Sequence, residues 1–341
     1  MNTYDKNINN LFLYWLISCS VLVFFIIVVG GLTRLTNSGL SITEWELFKG
    51  IIPPLNQNSW EVYFNQYKKI PQFKLLNYNM SIEEFKIIFY WEYFHRILGR
   101  LIGLFFLIPF IYFYFSKKID KKYINTCSII FSLIILQGII GWYMVKSGLV
   151  NDVSVSHYRL SIHLTVAIII ISSLFWLIKN LIQKKKKKFF NLRGNNIYFL
   201  FLILLIFLQI IFGAFVSGLD AGRLYQTWPL MGFSYFPDDV VVNGLKNIIN
   251  FNNHSLVQFY HRNLAYLITI YIFALSIYIY KNKLNNLFKA LKLLIYFLIL
   301  QIFLGILTLI SGLNIFLASA HQISSVILVF TAINLYYFQS K

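Results

Sequence analysis

The chain has 341 residues, 58% of them hydrophobic and only 12% charged, with two cysteines and a formal net charge of +18. That composition excludes an ordinary soluble domain and a disulfide-built secreted scaffold, and it points to a polytopic membrane protein. Nor does the charge mark a nucleic-acid binder, because the lysines fall in short loops between apolar runs, the positive-inside pattern.

Eight runs reach the roughly 20 residues needed to cross a bilayer. They lie at 12–33, 88–115, 124–146, 157–179, 197–217, 256–280, 287–311 and 315–338. The first is too long for a signal peptide and no small-residue cleavage site follows it, so it is expected to stay as a helix. Lys117, Lys118, Lys121 and Lys122 follow the second run, Lys184 to Lys188 and Arg193 the fourth, and Lys281, Lys283 and Lys289 the sixth. These alternate loops are expected on the cytoplasmic side together with both termini, which leaves 34–87 and 218–255 outside. The pentalysine stretch reads as a solvated topology signal. Ser81-Ile82-Glu83-Glu84 reads as a capping box that starts the second helix before it enters the membrane. No Arg- and Ser-rich amphipathic presequence precedes the first run, which favours a bacterial inner membrane over a mitochondrial one.

The two halves repeat. Gly30-Gly31, Gly39, Trp45 and Pro54 align with Gly213-Ala214, Gly222, Trp228 and Pro237 at one constant offset. A second offset aligns Gln137, Gly141, Gly148 and Leu149 with Gln301, Gly305, Gly312 and Leu313. Chance likeness between apolar segments explains apolar matches but not ordered Gly, Trp, Pro and Gln ones. The expected fold is an all-α integral membrane protein, its eight transmembrane helices forming two pseudo-twofold-related four-helix bundles. Residues 1–183 make the first half, 184–196 a basic cytoplasmic linker, and 197–341 the second half. An even helix count per copy makes the repeats parallel, related by an axis along the membrane normal.

Of six histidines, His95 and His163 fall on runs two and four, and His261 and His321 on runs six and eight. Counting about 1.5 Å per residue to the cytoplasmic lysines places each in the outer half of the membrane. One intramembrane histidine is most simply bonded to a neighbouring helix. Two pairs in register within a repeat are what a haem iron held between facing helices requires. Zinc or copper also accepts imidazole, but neither half offers a clustered third ligand. His157, on another helix face and nearer the outer water, and His254, in a polar outer stretch, read as non-ligands.

The halves differ at one position. Glu92-Tyr-Phe-His95-Arg96 in the first becomes Gln258-Phe-Tyr-His261-Arg262 in the second. A carboxylate can exchange a proton or orient water, and a neutral amide cannot. The alternative, that Glu92 pairs with Arg96 or Arg100 on its own helix, stands equally open. Arg96 and Arg262 are candidate partners for porphyrin propionates, although snorkelling also accounts for them.

Gly30-Gly31-Leu-Thr-Arg34-Leu-Thr-Asn-Ser-Gly39-Leu-Ser, Glu92-Tyr-Phe-His95-Arg96, Tyr158-Arg159-Leu-Ser-Ile-His163 and Ala320-His321-Gln322 resemble the haem A synthase family over nearly the whole chain. The likeness is closest to the branch found in alphaproteobacteria and mitochondria. Some other branches carry a cysteine pair in an outer loop; this chain has none there, so thiol chemistry is not carried over. The resemblance implies oxidation of the C8 methyl of haem O to a formyl group. It also implies that Glu92, His95 and His163 serve the substrate haem, and that His261 and His321 hold a haem B cofactor. Candidate partners are haem O, the lipid bilayer, an electron donor, haem O synthase and a second copy of the chain. The rivals are a di-haem cytochrome b-type electron-transfer subunit and a haem transporter. The first needs no carboxylate beside a ligand. The second would show paired helix-breaking residues at mid-membrane, where only Pro109 stands.

Overall fold

The computed structural model describes residues 3–45, 49–150, 152–241, 244 and 248–340. Met1 and Lys341, the termini expected on the cytoplasmic side, lie outside these residues. The fold is all helix, with no strand among the described residues. In chain order the helices are α1 (Thr3–Leu35), α2 (Gln57–Tyr67), α3 (Pro71–Leu75), α4 (Ile82–Ser116) and α5 (Lys121–Gly148). They continue as α6 (His157–Ile182), α7 (Asn196–Gly218), α8 (His254–Lys281), α9 (Phe288–Ile310) and α10 (Ile315–Gln339). Eight of them are long and apolar enough to cross a membrane. The chain divides into two compact units, Met1–Leu177 and Ile178–Lys341.

The helices outrun the apolar stretches because their ends are capped by polar residues. At the start of α4 the Ser81 amide donates to Glu84 Oε2 at 2.8 Å and the Glu84 amide donates to Ser81 Oγ at 3.3 Å, a complete capping box. Asp120, Asn253 and Asn314 cap α5, α8 and α10 through side-chain oxygens. Within the spans, hydroxyls fold back on the carbonyl four residues earlier, as Thr33 does to Val29 and Thr308 to Leu304. That keeps a polar group satisfied where lipid offers no partner.

Pro109 sits inside α4 without ending it. A proline has no N–H, so the Phe105 carbonyl loses its normal helical donor. The Trp15 indole Nε1 of α1 donates to that carbonyl at 3.1 Å. Trp15 is buried, and its ring lies 4.9 Å from Phe106 and 5.4 Å from Phe113. The aromatic contact between α1 and α4 thus delivers the hydrogen bond that the proline removes.

The described residues of the connection between α1 and α4 form a small folded layer. Leu40, Ile42, Trp60, Phe64, Tyr67 and Ile70 pack with Phe85, Ile88 and Phe89 of α4 into one buried cluster. The Tyr67 hydroxyl donates to Gln72 Oε1 at 3.0 Å, and Gln72 Nε2 donates to the Asn37 carbonyl at 3.1 Å. The layer therefore fastens the chain just after α1 to the first turns of α4. Burial pushes the Tyr67 phenol pKa up.

In the basic linker, Lys187 departs from a solvated topology signal. Its ammonium donates to the Tyr337 carbonyl at 2.7 Å and to the Ser340 carbonyl, and lies 4.7 Å from the Tyr337 ring centroid. The Asn180 side chain brackets its backbone from both sides at 3.1 Å. A cation on the last carbonyls of α10 is the favourable end of a helix dipole. Burial, with Lys185 and Lys179 close by, pushes the Lys187 pKa down.

Trp15→Phe should lower stability by about 1–3 kcal/mol, the usual cost of stranding a buried polar group. In a Pro109→Ala background the same replacement should cost less, because the restored N–H reaches Phe105. A double-mutant cycle by unfolding in detergent measures this; equal costs in both backgrounds would contradict the assignment.

Candidate functional site

Imidazoles inside apolar helices are costly without a partner. His95 on α4 and His163 on α6 face each other with ring centroids 6.4 Å apart. Nδ1 of each ring is buried and finds no hydrogen-bond partner among the described residues. Two imidazoles bound to one metal ion from opposite sides, each at about 2 Å, have ring centres roughly 6 Å apart. The pair is therefore spaced to grip one metal atom. Among the described residues no group of three or more His, Cys, Asp or Glu could hold a bare ion. A porphyrin brings four nitrogen ligands of its own and leaves two positions for a pair of imidazoles. The residues present fit a haem.

The second unit pairs His261 on α8 with His321 on α10, and His321 lies within electrostatic reach of His261. Here the rings are already tied. Gln209 of α7 donates through Nε2 to the His261 carbonyl at 3.0 Å and stands 3.2 Å from its ring Nδ1. His321 Nδ1 donates to the Gln301 carbonyl at 3.1 Å, which leaves Nε2 as the lone-pair nitrogen. Ser324 Oγ in turn holds Gln301 Oε1. In the first unit, Gln137 Nε2 donates to the His163 carbonyl at 3.0 Å but holds neither ring. The α1 position that matches Gln209 in the repeat is Ile26.

Glu92, one helical turn before His95, is buried. Its Oε2 accepts from Ser41 Oγ at 2.8 Å and from the Ile42 amide at 2.9 Å. Its Oε1 accepts from Arg96 Nε at 3.0 Å and Nη2 at 2.6 Å. Arg96 also donates to the Ile42 carbonyl at 2.9 Å and the Glu44 carbonyl at 3.3 Å, with its guanidinium 5.3 Å from the Trp45 ring centroid. Of the two arginines open to Glu92 in the sequence, the fold selects Arg96, while Arg100 donates to the Gly50 carbonyl at 3.0 Å. Guanidinium and carboxylate together fasten residues 41–45 onto α4.

The same scaffold recurs in the second unit without the charge pair. Gln258 Nε2 and Arg262 Nη2 both donate at 2.9 Å to the carbonyl of Tyr225, which occupies the repeat position of Ile42. Gln258 Oε1 and Arg262 Nε, the atoms that would mimic the Glu92–Arg96 contact, are buried without a partner among the described residues.

The other two histidines stand apart. His157 opens α6, buried, its ring 4.0 Å from Tyr158, and His254 opens α8 in an exposed position. Beside Arg96, a cavity of about 200 Å³ is lined by Trp45, Trp142 and Lys146 among others. Sequence reasoning passes over Gln209 and Ser41. The signal for Gln209 is a lone amide in an apolar run. For Ser41 there is none, because its partner lies some fifty residues away.

The profile of a family described as "Cytochrome oxidase assembly protein" matches residues 13–333. The chain is 49% identical over 315 residues to a protein of Pelagibacter ubique, covering 92% of each chain. It is 44% identical over 324 residues to one of Nitrosospira multiformis, covering 93% of this chain and 90% of the relative. It is 42% identical over 321 residues to one of Rickettsia bellii, at 92% and 94% coverage. Each of the three relatives is described as "Heme A synthase".

Glu92→Ala strands the Arg96 guanidinium and the Ile42 amide together. Removing one member of a buried pair typically costs about 3–5 kcal/mol, so the variant should melt well below the parent and expose residues 41–80 to protease. Ser41→Ala, which removes one neutral donor, should cost about 1 kcal/mol. A thermal melt with limited proteolysis checks both, and equal effects would refute the charge pair as the main fastening.

Proposed function

The chain belongs to the cytochrome oxidase assembly family, and from that membership and the site's geometry we propose that it is a haem A synthase. It is an oxidoreductase that converts haem O to haem A by oxidising the C8 methyl group to a formyl group. The observation that carries this reading is the contrast between two histidine pairs in one duplicated frame. The second pair has its rings tied by Gln209 and Gln301, as suits a resident group. The first pair has both Nδ1 atoms unpartnered, as suits a group that arrives and leaves.

His261 and His321 hold the resident haem B, and His95 and His163 hold the substrate haem O. When bound, haem B supplies one-electron transfer. The chain's own groups do the rest. His95 and His163 fix the depth and tilt of the substrate between α4 and α6. Glu92 places a negative charge one turn away and is the proton-exchanging group. Ser41 makes that exchange local, because its hydroxyl has two acceptors, Glu92 Oε2 at 2.8 Å and the Ile88 carbonyl at 3.2 Å. Turned to Ile88, the hydroxyl frees a lone pair on Oε2 for a proton.

Arg96 keeps one N–H on Nη1 beyond its four contacts, and Arg262 keeps Nε. These are the donors for haem carboxylates. Lys146 and the indoles of Trp45 and Trp142 make the cavity beside Arg96 suitable for the polar edge of the substrate. The lysine-rich alternate loops support a multi-pass reading in which both ends of the chain are cytoplasmic and both haem sites face the periplasm of a bacterial inner membrane. An electron donor, haem O synthase and a second copy of the chain are its proposed partners.

Expression with a source of haem O, followed by chromatography of the extracted haems, should yield haem A; haem B alone would indicate an electron-transfer cytochrome instead. His261→Ala or His321→Ala should remove the low-spin haem B spectrum, and an unchanged spectrum in either would overturn the ligand assignment. Glu92→Gln keeps the size and reach of the side chain but loses its charge. It should bind haem and form haem A about 10²–10⁴-fold more slowly, the usual worth of a general acid–base group. Haem O or a partly oxidised product should accumulate, and near-normal haem A per folded molecule would reduce Glu92 to a structural role.

A further inference from the structure

Each of the four histidine rings rests against a neighbouring helix, and in every case at a glycine. A Cβ built on Gly30 of α1 would stand 3.0 Å from His95 Cε1, and one on Gly141 of α5 would stand 3.1 Å from His163 Cε1. In the second unit, a Cβ on Gly213 of α7 would lie 3.2 Å from His261 Cε1, and one on Gly305 of α9 would lie 2.8 Å from His321 Cε1. Gly30 and Gly213 share one repeat position, and Gly141 and Gly305 share another. The contact is not a by-product of glycine in apolar helices. A Cβ on Gly138, three residues before Gly141 on the same helix, would meet nothing within 4 Å, and the same is true of Gly103 on α4.

Backbone freedom does not explain these four glycines. All lie inside helices, and the positive-φ glycines, Gly194, Gly232, Gly244 and Gly312, are elsewhere. Glycine is among the poorest residues for a helix interior, so its presence there calls for a packing reason. The packing supplies one. Cε1 is the ring atom between the two nitrogens. With that atom pressed on bare backbone, each ring is stopped at a fixed distance from the neighbouring helix, from which His321 Nδ1 reaches the Gln301 carbonyl of the helix that carries Gly305. A methyl group at the glycine would occupy the ring's place and force it to swing.

We propose that Gly30, Gly141, Gly213 and Gly305 are positioning residues that set the orientation of the four imidazoles toward haem iron. This rests on the reading of those histidines as haem ligands. The effect is graded by distance: Gly305 leaves no room for a Cβ unless the ring moves, whereas at Gly213 a shift of a few tenths of an ångström is enough.

The test uses the full-length protein purified in detergent with its resident haem, carrying Gly305→Ala, Gly213→Ala or, as a control, Gly138→Ala. The readouts are haem content, thermal midpoint and the electron paramagnetic resonance g-values of the low-spin haem, which respond to imidazole orientation. Gly305→Ala should shift the g-values or convert part of the haem to high spin, Gly213→Ala should shift them less, and Gly138→Ala should leave them unchanged. Wild-type g-values and haem content in both Gly305→Ala and Gly213→Ala would overturn the proposal. Should Gly305→Ala fail to fold, Gly213→Ala decides alone. If the parent protein shows no low-spin haem signal, the ligand reading itself falls. If the parent shows it and the glycine variants match it, only the positioning role falls.

Discussion

A polar group inside hydrocarbon has no water to fall back on, so a partner within the chain is worth more there than at a wet surface. Most of the specific geometry of this protein follows from that constraint. The Phe105 carbonyl, deprived of its donor by Pro109, takes the indole of Trp15 and in doing so sets how α1 lies on α4. Glu92 cannot stand as a lone charge, so it draws in Arg96, Ser41 and the Ile42 amide and thereby ties the outer layer to the head of α4. The polar residues thus fix the registry of helices whose apolar surfaces alone would slide.

The same constraint separates the two halves. In the second unit the Gln209 side-chain amide meets the His261 ring and the Gln301 carbonyl accepts from His321 Nδ1, and a buried glutamine stands where the first unit has its carboxylate. In the first unit Nδ1 of His95 and of His163 has no partner among the described residues, and a charged pair stands one turn away. Unsatisfied buried donors are rare in folded proteins and call for a ligand or an unseen partner. The repeated frame is therefore finished in two ways, one with its histidine rings hydrogen-bonded and one with a buried ion pair beside them.

Much of this was legible in the sequence. Eight apolar runs, the lysine-rich loops, the capping box at Ser81 and the paired histidines all follow from local pattern, because helix periodicity, caps and transfer energetics depend on residues near one another in the chain. The repeat was legible too, since ordered glycines, tryptophans and glutamines keep their spacing within each helix.

Other features needed the fold. Whether Glu92 pairs with Arg96 or Arg100 was open, as both are reachable on one helix; the return of residues 41–45 decided it by supplying carbonyls to Arg96. The layer of α2 and α3 carries no transmembrane signal, and only its packing on Phe85 and Phe89 reveals it as structure. Lys187 looked like one more solvated lysine until the end of α10 came down on it. The glycines under the histidine rings had the same ambiguity. Sequence records that a residue is small, but only the approach of a second helix shows what the missing side chain makes room for, because that contact joins positions between 16 and 65 residues apart.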